Sequence, residues 1–358
     1  MYNAFMNQSE TALREPAWDL LRTFAMLLGV VFHANLIFVL EPLPWITQHP
    51  HANVFSSMLT WTLHNFRMPL FFLASGYLAV GALNKNGSVL FLKKRMQRLV
   101  LPLLLAAVTT LPLTFWLWKM AGKSYGGGAF PPGFLWFLVY LMFYSLLTVP
   151  LVPLLGRIRL PFVTRFIIAW GLLAAVHFFM KDYTHVDEPS GDWLPRPTTF
   201  LYYAIFYFYG VIEHFYQNSR RAAWPFFLMA LLMWILSFSG YDSTKIGQDL
   251  FPGFMKWIPA LITTLYALSA ISGAIQWTRN HIHHISKGVS SLFATSYWIY
   301  LTHIPLVASL QLLVRDSMLP WPLLLAFIIG VSIATLWLIF TYLVRGSWLE
   351  WVLNGKRT

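Results

Sequence analysis

Cysteine is absent from this chain and charge is scarce. Without a thiol there is no thiolate nucleophile, no cysteine-held metal, no disulfide framework and no thiol redox switch. Charged residues make up 11% of the 358 positions, where an ordinary soluble domain carries roughly 25%. That is too few to coat a water-soluble surface or to keep a chain disordered. Acidic residues are the scarcest: 13 Asp and Glu stand against 25 Lys and Arg, a net charge of +12. A basic excess in so apolar a chain marks loops on the cytoplasmic side of a membrane. No aromatic and basic single-strand groove or Gly-rich phosphate loop accompanies it, so nucleic acid is not an expected partner.

What is present is apolar. Hydrophobic residues reach 58% and aromatics 18%, with a mean hydropathy of +0.59. Apolar runs recur without the strict alternation of an outer-membrane barrel. The expected fold is an all-α polytopic membrane protein with about ten transmembrane helices. The spans fall near 18–40, 55–83, 97–118, 133–155, 162–181, 199–216, 222–239, 254–276, 290–314 and 321–345. The second is long and is expected to tilt or bend at Pro69 or Gly76. With both termini cytoplasmic, sixteen of the 25 basic residues lie in inner segments or span ends, seven in outer ones, and Arg22 and Arg67 within spans. This bias favours an even number of crossings. One integral-membrane domain, 1–358, is expected, with a short cytoplasmic segment 1–17 and a cytoplasmic tail 346–358. The first span is too long for a cleavable leader and no small-residue cleavage site follows it.

Ionisable groups inside spans cost about 2.5–3.5 kcal/mol each on insertion scales, which makes them candidates for function. In the first span, Arg22 and His33 are eleven residues apart, within about 20° of three full turns. Asp19 lies one turn before Arg22, so the three share a stripe with Met26 and Gly29, and Ala25 lies at its edge. His33 reads either as a polar core residue bonded across helices or as a functional imidazole. Arg22 reads as a snorkelling anchor or a ligand contact, and Asp19 as a helix-start residue or part of the stripe. In the second span, His64 and Arg67 are i,i+3 neighbours. Arg67 is near mid-span and must find an anion, carbonyls or water. Ser75 and Gly76 form either a packing notch or a polar contact. Lys93, Lys94, Arg95 and Arg98 are a positive-inside signal or a clamp for the phosphates of a cytosolic ligand. His303 stands two residues before Pro305, where a kink is expected. The tract His281, His283, His284 has no acidic or cysteine companion, so no metal site is expected.

These residues resemble a known family. Arg22 and His33, with Trp18-Asp19-Leu20-Leu21-Arg22 around the first, are similar to the first-helix signature of the integral-membrane acyltransferase-3 family. Phe66-Arg67-Met68-Pro69-Leu70-Phe71-Phe72, followed by Ser75-Gly76-Tyr77, resembles its second-helix motif. Lys94-Arg95 and Arg98-Leu99-Val100-Leu101-Pro102 resemble the basic opening of its third helix. Phe134-Leu135-Trp136-Phe137-Leu138 and Ile299-Tyr300-Leu301-Thr302-His303-Ile304-Pro305-Leu306 match later landmarks. The second-helix motif, with no fused extracytoplasmic esterase-like domain, looks most like the family's glucan-succinylating branch. Trp18 stands where many members carry a smaller residue or Leu, and this leaves the acceptor open.

The resemblance implies a bacterial inner-membrane O-acyltransferase. An acetyl or succinyl group would pass from cytosolic acyl-CoA to a hydroxyl of a carbohydrate or glucan at the outer face. Acyl-CoA is then a substrate, with no resident cofactor, and glycan-synthesis proteins are conceivable partners. His33 is the expected general base or transient acyl carrier. Arg67 is expected to steady the oxyanion or a donor carbonyl. Arg22, Arg95 and Arg98 suit the phosphates of CoA. Asp19, His64, Ser75 and His303 are supporting candidates. Asp19 is too far from His33 to orient its ring, so a partner on another helix is required. A transporter or flippase for a glycan-related substrate, or a structural partner in a glycan-synthesis complex, fits the same in-span polar residues.

Overall fold

The computed structural model describes residues 16–41, 43–124, 131–182, 185–187, 189, 193–216, 221–239, 257–282, 284 and 286–354. Among these residues every regular element is a helix, with no strand. The helices are α1 (Pro16–Asn35), α2 (Val54–Val108), α3 (Thr110–Met120), α4 (Trp136–Leu155), α5 (Phe162–Phe178), α6 (Pro197–His214), α7 (Trp224–Ser239), α8 (Trp257–His281), α9 (Lys287–Val314), α10 (Trp321–Ile339) and α11 (Trp348–Asn354). Among the described residues, six helical stretches are long and apolar enough to cross a membrane: Ala17–Phe38, Val54–Met120, Gly133–Leu155, Trp257–His281, Thr295–Val314 and Trp321–Val344. Phe162–Phe178 and Trp224–Ser237 are shorter apolar helices.

Val54–Met120 runs for 67 residues. At 1.5 Å per residue that is about 100 Å, several times the roughly 30 Å of a bilayer core. The backbone breaks at Gly87, with φ 71° and ψ 166°. This left-handed region favours glycine because a Cβ would clash there. Gly87 lies between the second and third expected spans, 55–83 and 97–118. Pro69 and Gly76, where a bend was expected, lie inside continuous helix. The stretch after Gly87 carries Lys93, Lys94, Arg95 and Arg98 before the chain turns apolar again.

Helices α2 and α6 make the tightest crossing. A Cβ on Gly76 would lie 1.9 Å from the Tyr207 carbonyl oxygen, and one on Gly210 would lie 2.0 Å from the Leu73 carbonyl oxygen. Each glycine lets the other helix's backbone approach, the small-residue packing expected within membranes. Gly76 is therefore a packing notch. Both Gly76→Ala and Gly210→Ala force the helices apart, at a cost on the order of 1–3 kcal/mol each. Each variant should show a lower thermal midpoint and less monodisperse protein in detergent. An unchanged melting curve for both would contradict this crossing.

Candidate active site

The stripe read from the first span faces inward. Asp19, Ala25, Met26 and His33 are all buried, whereas Phe24, pointing away, is 47% exposed. α1 packs against α2 and α9, and a Cβ on Gly29 would lie 2.7 Å from the Tyr300 ring and 3.4 Å from Arg67 Nη1. This glycine lets α9 and the Arg67 guanidinium close in one turn from His33.

His33 meets its partner across 270 residues of sequence. Its Nδ1 lies 2.8 Å from Nε2 of His303. His303 Nδ1 in turn lies 2.7 Å from the Tyr300 carbonyl oxygen and 3.2 Å from that of Ile299. Carbonyls only accept, so His303 Nδ1 carries the proton and donates. In the neutral ring its Nε2 is then bare and accepts from His33 Nδ1–H. This leaves the His33 Nε2 lone pair unused by the pair. His303, a supporting candidate in the sequence, contacts the His33 ring from another helix, a place Asp19 cannot reach. Pro305 follows within the continuous α9 helix.

Three further side chains fix His33 and its helix end. The Trp45 ring stacks on the imidazole, with centroids 5.6 Å apart and planes 9° from parallel. Gln311 accepts from Trp45 Nε1 at 2.9 Å and donates to the His33 carbonyl oxygen at 2.8 Å. Asn35 bridges to the start of α2, donating to the Ser56 carbonyl oxygen and Thr60 Oγ1 and accepting from Ser56 Oγ. Trp45 also lines an open cleft of about 370 Å³ with Leu36, Glu41, Leu43, Thr47, Gln48 and Lys123.

Arg67 is 5% exposed and lies 4.2 Å over the Phe32 ring. It is within electrostatic reach of His33, His64 and His303. Its Nε and Nη1 make no hydrogen bond among the described residues, and no described carboxylate pairs with it. A buried guanidinium so placed has donors to offer an anionic or carbonyl oxygen.

The other candidates fall elsewhere. His64 Nε2 donates to the Val186 carbonyl oxygen at 2.7 Å, and Val186 N–H donates to Asn65 Oδ1. His64 thus pins the 185–187 segment to α2, assisted by Trp61 stacked on His185 at 4.1 Å. Arg22 pairs with Asp19 at 3.4 Å, at the opposite end of α1 from His33. Arg95 is half-buried near the Phe91 ring. Arg98 is exposed, and its carbonyl accepts from Tyr297 Oη at 3.0 Å. Ser75 is buried beside the Gly76 notch. Sequence reading missed Trp45 and Gln311. Gln311, an uncharged polar side chain in an apolar run, carried a signal; Trp45, in a loop, carried none. His281 donates to the Trp277 carbonyl oxygen at 2.8 Å, and His283 lies outside the described residues.

An acyltransferase domain model matches residues 15–343. The chain is 31% identical over 114 residues to glucans biosynthesis protein C of Escherichia coli strain K12, and likewise to that of Escherichia coli O1:K1. These alignments cover 32% of this chain and 29% of each relative, so the match spans less than a third of those relatives. No solved structure matches the chain. The family match, by contrast, covers most of the chain, including the histidine pair and its surroundings, and the chain belongs to the integral-membrane acyltransferase-3 family.

Proposed function

We propose that this protein is an acyltransferase that moves an acetyl or succinyl group from cytosolic acyl-CoA to a hydroxyl of a carbohydrate, glucans foremost, on the far side of the membrane. The relatives' printed name supports the glucan. The positive-inside bias supports ten crossings with both ends in the cytosol of a bacterial inner membrane. Asp19 and Arg22 then face the cytosol and the Trp45 cleft faces outward. Arg22, Arg95 and Arg98 hold donor phosphates, and the thioester reaches His33 along the buried stripe of α1.

The observation that carries this reading is the hydrogen-bonded pair His33–His303. His33 Nε2 takes the proton of the acceptor hydroxyl while its oxygen attacks the thioester carbonyl. The unpaired N–H groups of Arg67 steady the oxyanion. As it collapses, the C–S bond breaks, the ester forms, and the CoA thiolate takes the proton back from His33. Trp45 shields the imidazole from the outward cleft, limiting donor loss to water.

Purified protein in nanodiscs, given acetyl-CoA or succinyl-CoA, should release free CoA faster when linear or cyclic glucans are added. Vesicle uptake of glucan with no CoA release would instead favour a transporter. Trp45→Ala should raise acceptor-independent CoA release about tenfold or more, because water then reaches His33. Acceptor-independent release at the wild-type rate would remove Trp45 from that role.

A further inference from the structure

A second buried cationic cluster lies at the end of the bundle where α1 begins, away from the histidine pair. It centres on Glu213 at the end of α6. Arg165 Nη2 takes one carboxylate oxygen at 2.8 Å, while Arg279 Nη1 stays 3.8 Å from the other, beyond hydrogen-bond reach. The side chains of Arg165, Arg279 and Glu213 are 3–5% exposed. Arg221 adds a third positive charge at the edge, over the Phe162 ring at 4.0 Å and within electrostatic reach of the other three.

One carboxylate therefore faces three guanidinium groups, two of them buried. None of the three nitrogens of Arg279 makes a hydrogen bond among the described residues. Arg279 rests over Trp18 at 5.1 Å and Tyr77 at 5.8 Å, two rings stacked 3.8 Å apart. A ring face attracts a cation but gives its N–H groups no acceptor. Arg279's ion pair is the 3.8 Å approach to Glu213, a carboxylate it shares with Arg165, and a buried guanidinium without hydrogen bonds is costly unless an anion completes it. Arg279's planar fork suits a phosphate, which can accept two parallel bonds. Trp18 stands one turn before Arg22, so this cluster adjoins the cytosolic end of the donor path.

We infer that Arg279, with Arg221 and Arg165 held around Glu213, forms a phosphate subsite for the nucleotide end of the acyl-CoA donor. This rests on the acyl-CoA reading of the preceding section. The subsite grips the nucleotide and leaves the pantetheine arm to the α1 stripe. It adds affinity for the donor without touching the reacting carbonyl.

The test is equilibrium binding of CoA and of pantetheine to the full-length protein in nanodiscs of phosphatidylcholine, and of phosphatidylcholine with phosphatidylglycerol. Arg279→Gln should weaken CoA binding on the order of tenfold to a hundredfold, the range of a lost charge-assisted bond. Pantetheine binding should not change. Arg279→Lys, which keeps the charge and loses the fork, should fall between and guards against a misfolded Gln variant. CoA binding left intact by both variants overturns the inference while the donor reading survives. So does a wild-type cluster whose occupancy follows phosphatidylglycerol rather than CoA. A wild type that binds no CoA overturns both.

Discussion

Arg67→Ala should lower acyl transfer by on the order of a hundredfold to a thousandfold, with donor binding changed far less. The guanidinium is buried over Phe32, its Nε and Nη1 have no hydrogen-bond partner among the described residues, and it is within electrostatic reach of both histidines of the pair. An oxyanion forms only on the way to the tetrahedral intermediate, so donors aimed at it act on turnover more than on binding. Arg67→Lys separates charge from shape. The ammonium is a point charge on a flexible stem and cannot present the guanidinium fork. It should recover part of the rate, leaving a deficit of about tenfold. Steady-state CoA release with saturating donor and acceptor reads this, and full activity in Arg67→Lys would reduce the role to charge compensation.

The larger loss belongs to the histidine pair. His33→Ala removes the proposed base, and general acid–base catalysis contributes roughly a hundredfold to ten-thousandfold. If His303 acts through its hydrogen bond to His33, its variants should be graded. His303→Ala removes the acceptor for His33 Nδ1–H and lets the ring rotate or change tautomer. His303→Gln can still offer a carbonyl oxygen at that place. The expected order of turnover is wild type, then His303→Gln, then His303→Ala, then His33→Ala, with KM for the donor little altered. A His303→Gln rate no better than His303→Ala would mean that the hydrogen bond does not position the base.

Much of this was legible in the chain and some was not, for physical reasons. The helical membrane class follows from apolar runs and scarce charge, because the bilayer leaves unpaired backbone few alternatives. The Asp19–Arg22–His33 stripe is local geometry, fixed by 3.6 residues per turn. The His33–His303 bond joins helices 270 residues apart, and only tertiary packing makes it. The break at Gly87 falls between the expected spans 55–83 and 97–118, where the apolar run gives way to polar and basic residues. Proline at 69 is carried within the helix, and glycine at 76 serves the contact with Tyr207. Arg165 and Arg279 are two of the sixteen basic residues in inner segments or span ends. Sequence cannot distinguish a solvated arginine from one 3–5% exposed beside a single shared glutamate.

Turnover and donor binding measured together on His33→Ala bear most directly on the chemistry. In one nanodisc preparation, CoA affinity within about twofold of wild type, beside acyl transfer reduced by a hundredfold or more, is the result expected if the imidazole at 33 handles the proton. A well-folded His33→Ala protein that still acylates its acceptor at a rate near wild type would show that the reaction runs elsewhere.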